Sequence, residues 1–303
     1  MHPSRCTEEE RSRRVESTYT AAVISSSEQT PPPTGAGGGA DSRGSAASGH
    51  DAGPSADRPP GVTPRDFPVA QGPQGELVVR RVLGPDRVVQ LGANELAERV
   101  EAASRVVADV GTGDGRAALE HARNRPDLLV VAIDLNRDNL AECARKAARP
   151  AARGGCPNLI YVWADAGSPP FALHGLADAV WVLYPWGSLL AGIVEPDRTI
   201  LHGLRALGTP GGTFSFLLNL RPWQQSPRPH AVRELPQPSE DDVRQRLDCL
   251  YRQEGLQVED IGTHLLHGPP RRRKSGMSSW ERRLAARVGP ATLAIEGTLQ
   301  NPV

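Results

Sequence analysis

Arg105-Val106-Val107-Ala108-Asp109-Val110 runs directly into Gly111-Thr112-Gly113-Asp114-Gly115. The first six residues read as a buried-type strand. The three alternating glycines read as a sharp turn, since glycine bends the backbone freely and leaves room where a Cβ would block a ligand. A helix is expected from about 115 to 124, which makes the stretch a strand–turn–helix unit. Working outward, Leu128-Leu129-Val130-Val131-Ala132-Ile133-Asp134 is a second apolar strand and about 137–148 a second helix. Asn158 to Ala164, Ala179 to Tyr184 and Thr213 to Leu218 are further strands, with one helix expected from about 187 to 207. Continuous apolar runs alternating with helices indicate a mostly parallel sheet covered on both faces.

On the N-terminal side, Glu76 to Leu83 and Arg87 to Leu91 flank the turn Gly84-Pro85-Asp86 and read as a hairpin. A short helix is expected at about 93–103. On the C-terminal side a helix at about 239–254, a strand near 256–265 and a last strand from Ala291 to Leu299 suggest a closing antiparallel pair. Residues 1–75 are different in texture: Pro31-Pro32-Pro33, Gly35-Ala36-Gly37-Gly38-Gly39 and Gly44-Ser45-Ala46-Ala47-Ser48-Gly49 follow one another with few large apolar residues. Such a segment cannot bury enough area to offset its ordering entropy. It is expected to be a disordered extension, with a single folded domain over residues 76–303.

The glycine turn narrows the ligand. Its spacing, G-x-G-x-G, is one residue short of the dinucleotide fingerprint G-x-G-x-x-G. Asp109 precedes it, and Asp134 ends the next strand. S-adenosylmethionine has no pyrophosphate to seat on a helix N-terminus, but it carries an ammonium and a sulfonium that favour a nearby carboxylate. Asp109 can supply that carboxylate, and Asp134 can accept from the ribose hydroxyls. A nicotinamide-dependent oxidoreductase of Rossmann type is the alternative that the shorter spacing disfavours. A non-catalytic RNA-binding module on a degenerate fold is disfavoured by the intact Asp109 and Asp134.

Composition bounds the rest. The 303 residues carry 35 basic and 35 acidic side chains, which disfavours bulk-charge coating of nucleic acid but allows local basic patches. No run of about 18 apolar residues is present, and the N-terminus lacks the apolar region of a secretory signal, so the expected location is the cytoplasm. Cys6, Cys143, Cys156 and Cys249 are scattered without a C-x-x-C pair, so neither a metal site nor a disulfide framework is expected.

Four motifs in order then resemble one family: Val107 to Arg116, Arg153-Gly154-Gly155-Cys156-Pro157-Asn158-Leu159, Tyr184-Pro185-Trp186-Gly187-Ser188-Leu189-Leu190, and Ser278-Ser279-Trp280-Glu281-Arg282-Arg283-Leu284. They are similar to the aminoglycoside-resistance 16S rRNA (adenine-N1)-methyltransferases of the kanamycin–apramycin type, over about residues 76–300. The resemblance implies a class I S-adenosylmethionine-dependent methyltransferase (Rossmann-like) α/β fold. Its sheet would be seven-stranded and mostly parallel, with an antiparallel last strand and an N-terminal hairpin. It implies methylation of adenine 1408 in 16S rRNA of the 30S subunit by a monomeric enzyme, and resistance to aminoglycoside or tuberactinomycin-type antibiotics.

By the same resemblance Gly111, Gly113, Ala166, Leu183, Pro185, Ser188 and Ser278 join Asp109 and Asp134 around the cofactor. Trp186 and Trp280 are expected to sandwich the flipped adenine. Arg145, Lys146, Arg149, Arg153, Arg283 and Arg287 are expected to contact rRNA phosphates, which position an enzyme without reading sequence. Two positions depart from the pattern. Gly167 stands where the family often has Glu, and Val288-Gly289-Pro290 replaces arginines found after the second tryptophan motif.

Overall fold

The structure, a computed structural model, describes residues 79–265 and 291–301. Within them a single nine-stranded sheet has the order β2-β1-β5-β4-β3-β6-β7-β9-β8. The strands are β1 (Val79–Gly84), β2 (Arg87–Leu91), β3 (Arg105–Val110), β4 (Leu128–Asp134), β5 (Leu159–Trp163), β6 (Ala177–Leu183), β7 (Gly208–Asn219), β8 (Leu256–Leu265) and β9 (Ala291–Leu299). Strands β5, β4, β3, β6 and β7 are parallel neighbours. β9 runs antiparallel between β7 and β8, as the sequence suggested for a closing pair. The hairpin does not stand apart from the expected seven strands. It joins the sheet through Arg81 of β1, which pairs antiparallel with Val162 of β5.

Alternation along each strand sorts side chains to two faces. One face carries α2 (Arg116–Asn124) and α3 (Arg137–Ala147), whose Ala118, Leu119, Leu140 and Ala144 pack on Val130, Ala132, Leu159 and Tyr161. The other carries α1 (Ala93–Glu101), α4 (Gly187–Val194), α5 (Arg198–Leu207), the short α6 (Glu240–Asp242) and α7 (Asp248–Gln253). There Leu96, Ile193, Leu204 and Tyr251 pack on Val131, Val180, Phe214 and Ile295. Between α6 and α7 the backbone makes a π turn over Val243–Leu247, so the expected helix at about 239–254 is continuous but not regular.

One helix expected from the sequence is two. The segment from 187 to 207 breaks at Glu195-Pro196-Asp197, because proline disfavours helical backbone in the residue before it and Asp197 caps a new start. The Asp197 carboxylate accepts from the amides of Thr199 and Ile200 at 2.7 and 3.3 Å. The expected disordered extension, residues 1–75, lies outside the described residues. No described helix is long and apolar enough to cross a membrane.

Candidate active site

β3 lies between β4 on one side and β6 on the other. The chain leaves β3 toward one face through α2 and leaves β6 toward the opposite face through α4. This divergence opens a crevice beyond the carboxyl ends of the two strands, the place where open α/β sheets bind ligands. Both segments singled out in the sequence sit there, the glycine turn after β3 and Tyr184-Pro185-Trp186 after β6.

The glycine turn is tied to the end of β4 by a series of hydrogen bonds. The amides of Gly111 and Thr112 donate to the Ile133 carbonyl at 2.8 and 3.2 Å. The amide of Gly113 donates to Asp134 Oδ2 at 2.8 Å, and that of Asn136 to Asp134 Oδ1 at 2.8 Å. Both Asp134 oxygens therefore orient the backbone, leaving one acceptor direction on each for a ligand. Burial pushes the Asp134 carboxyl above the usual aspartate range, and the two amide bonds act against that shift. Asp109 is buried, at 4 % exposure, and its Oδ2 accepts from the Thr112 hydroxyl at 2.6 Å.

Gly113 has φ +62°, and no heavy atom lies within 4 Å of where its Cβ would be. The requirement for glycine there comes from the left-handed backbone and from an open strip above the turn. Gly115 differs: at φ +69°, a Cβ would overlap the ring of Tyr161. The residues present thus fit S-adenosylmethionine, with bare backbone beside two carboxylates, Asp109 and Asp134.

On the β6 side Leu183 is half-buried and Pro185 buried. Tyr184 adopts φ +53°, a left-handed conformation rare for a residue with a Cβ, and its amide still donates to the Leu217 carbonyl at 2.8 Å. Strained residues of this kind cluster at functional sites. The twist turns the chain out of the sheet and places Trp186 at the N-cap of α4, half-buried and in contact with the main core. Ser188 is exposed in the first turn of α4. Ala166 follows β5 in a turn that the Asp165 carboxylate closes by accepting from the Gly167 amide at 2.7 Å.

The structure thus brings Asp109, Gly111, Gly113, Asp134, Ala166, Leu183, Pro185, Trp186 and Ser188 to the carboxyl-end side of the sheet. The basic group lies elsewhere. Arg145, Lys146, Arg149 and Arg153 lie at and beyond the C-terminal end of α3, which at about 1.5 Å per residue is roughly 16 Å from the Asp134 end. Arg145, Arg149 and Arg153 are exposed, while Lys146 pairs with Glu142 at 2.6 Å. Ser278, Trp280, Arg283 and Arg287 lie outside the described residues. Among the described residues no cluster of His, Cys, Asp or Glu could hold a metal ion.

The sequence reading missed Tyr161 and Trp163. The Tyr161 hydroxyl donates to the Gly115 carbonyl at 2.6 Å, and Trp163 Nε1 donates to the Leu135 carbonyl at 3.0 Å. Nothing local marks them, because each partner is a backbone carbonyl far along the chain.

Comparison with known proteins settles the family. A family model described as "NpmA: 16S rRNA (adenine(1408)-N(1))-methyltransferase" matches residues 80–299. The chain belongs to this methyltransferase family. A 16S rRNA (adenine(1408)-N(1))-methyltransferase of Streptoalloteichus hindustanus is 40% identical over 182 residues, 60% of this chain and 82% of that protein. One from Streptoalloteichus tenebrarius is 36% identical over 222 residues, 73% of this chain and 99% of its own length. Among solved structures, the methyltransferase of the same name from Catenulisporales acidiphilia is 34% identical at TM-score 0.68, covering 74% of this chain and 100% of that one. A variant of that enzyme solved with cosubstrate SAM matches at TM-score 0.67 and 34% identity, covering 74% and 98%. The fold of this methyltransferase-family chain is therefore the class I α/β fold that the resemblance implied.

Proposed function

We propose that this protein methylates N1 of adenine 1408 in 16S rRNA, acting in the cytoplasm as a monomer on the assembled 30S subunit. The modification confers resistance to aminoglycoside or tuberactinomycin-type antibiotics. The observation that carries the reading is the meeting, at one crevice, of the Asp109–Gly115 turn with its Asp134 partner and the left-handed Tyr184 leading into Pro185-Trp186.

When bound, S-adenosylmethionine supplies a methyl group made electrophilic by its sulfonium. Asp109, Gly111, Gly113, Asp134, Ala166, Leu183, Pro185, Ser188 and Ser278 form its pocket. Adenine N1 has an in-plane lone pair and no proton, so no side chain has to act as a general base. The chain's task reduces to placing N1 in line with the methyl carbon. N1 is stacked or paired within rRNA, so the base is taken out of its helix. Trp186 on one side and Trp280 on the other hold it by stacking, worth about 1–3 kcal/mol per base. Their π faces also favour the positive charge that methylation places on the ring. Arg145, Lys146, Arg149, Arg153, Arg283 and Arg287 engage phosphates and set register on the subunit. The distance of the α3 group from the crevice fits a broad, shape-reading footprint on folded RNA.

Incubation of 30S subunits with tritiated S-adenosylmethionine tests this. We expect label in 16S rRNA and a primer-extension stop at adenine 1408. Absence of label, or a stop at another base, overturns the assignment. Calorimetric titration separates it from a nicotinamide enzyme, which would bind NAD in place of S-adenosylmethionine.

A further inference from the structure

Tyr161 and Trp163 are two residues apart on β5, and so lie on the same face of the sheet. Each donates one hydrogen bond to a main-chain carbonyl on the β3–β4 side of the crevice, but to a different segment there. Tyr161 reaches Gly115, where the glycine turn enters α2. Trp163 reaches Leu135, the residue directly after Asp134. Trp163 also pairs in register with Asp134 across the β4–β5 ladder. An extended strand holds side chains two positions apart at a nearly constant spacing, about 7 Å. β5 therefore acts as a ruler between the glycine turn and the acidic end of β4.

We infer that Tyr161 and Trp163 are positioning residues that hold these two segments of the cofactor pocket in the relative placement binding requires. The inference rests on the reading of the crevice as an S-adenosylmethionine site. Tyr161 is 2 % exposed, so it acts through Gly115 and does not reach a ligand itself. Its ring fills the space that a Cβ on Gly115 would need, so the turn is held both by contact and by hydrogen bond. Burial keeps the phenol protonated far above neutral pH, and the donor is not lost in any ordinary buffer. Trp163 is clamped in its turn. The guanidinium carbon of Arg80 lies 5.3 Å from its ring centroid and that of Arg137 5.9 Å, the first from the hairpin and the second from the start of α3. The hairpin strand β1 thereby braces the same ring that holds the Asp134 loop.

The test uses the full-length protein with Tyr161→Phe and Trp163→Phe, each of which keeps an aromatic ring and removes one donor. Calorimetry with S-adenosylmethionine alone reads the pocket without needing RNA. Net hydrogen-bond energies in proteins correspond to a roughly three- to tenfold rise in Kd for each variant. Turnover of 30S subunits at saturating S-adenosylmethionine should stay within about twofold of the parent, and the melting temperature of the protein alone within a few degrees. An unchanged Kd in both variants overturns the inference. So does a rise in Kd accompanied by an equal fall in saturated turnover and a large loss of melting temperature, which marks mere structural support. Because binding is measured on the protein alone, failure of the parent to label rRNA would overturn the functional reading and leave this measurement intact.

Discussion

The amide of Gly113 donates to Asp134 Oδ2 at 2.8 Å, so the glycine turn and the acidic end of β4 form one hydrogen-bonded unit. Asp134 therefore has a structural duty toward the turn as well as the binding role proposed for it. The Asp134 carboxyl is held above its ordinary value of 3.8, chiefly by burial. A raised carboxyl pKa means that the folded protein binds a proton more readily than the unfolded chain. The ionised group thus detracts from stability above its folded pKa, and this cost disappears as pH falls below the unfolded value. Ligand binding runs the other way, since the carboxylate form accepts the bonds. We expect S-adenosylmethionine affinity to fall on acidification, with a midpoint above the ordinary aspartate range. Asp134→Asn should weaken binding at neutral pH and remove that midpoint. Calorimetry across a pH series checks both.

Trp186→Ala should reduce methyl transfer to 30S subunits by about ten- to a hundredfold, from the loss of one stacking face. S-adenosylmethionine affinity should stay within about twofold. Trp280→Ala should behave alike. Tritium incorporation together with calorimetry separates the two quantities, and full activity in either variant removes the sandwich.

The two glycines should respond differently to alanine. At Gly113 a methyl group has room, so the folding cost is that of left-handed backbone, about 1 kcal/mol. The methyl group projects into the open strip, however, and should weaken ligand binding more than it lowers stability. At Gly115 a methyl group collides with Tyr161 and should lower the melting temperature further than the Gly113 change does. Thermal denaturation of the two variants side by side decides this.

Tyr184→Val places a β-branched residue at φ +53° and removes a ring that packs with Leu217 and Ala294. A loss of roughly 1–3 kcal/mol from backbone strain is expected, beyond the packing lost. Because Trp186 starts two residues later, turnover should fall more than S-adenosylmethionine affinity. Chemical denaturation and steady-state kinetics provide the measurements.

Much of this architecture was legible because buried parallel strands announce themselves as unbroken apolar runs. Leu128 to Asp134 and Arg105 to Val110 have the boundaries expected of them. The glycine turn was legible for the same local reason, since its chemistry lies within seven adjacent residues. The break at Pro196 was written in the sequence, but the apolar periodicity of the flanking segments ran past it. β7 begins at Gly208, not near Thr213, because Gly208 already pairs with Ala177 of β6, while the turn-like Thr209-Pro210-Gly211-Gly212 bulges out before pairing resumes between Thr213 and Ala179. Tyr161 and Trp163 could not be singled out at all. Their acceptors lie 46 and 28 positions away, and only the folded sheet brings them within reach.

The antiparallel placement of β9 between β7 and β8 also shapes how the molecule is made. β7 meets β9 across a gap such as Ser215 to Glu296, which are 81 positions apart. Until β9 leaves the ribosome, β7 presents an open edge and β8 has no partner strand, and open edges invite pairing with other chains. A nascent chain halted before Ala291 would thus carry a nearly complete pocket on a scaffold prone to self-association. Synthesis of this enzyme should depend on chaperone cover until translation has passed the ninth strand.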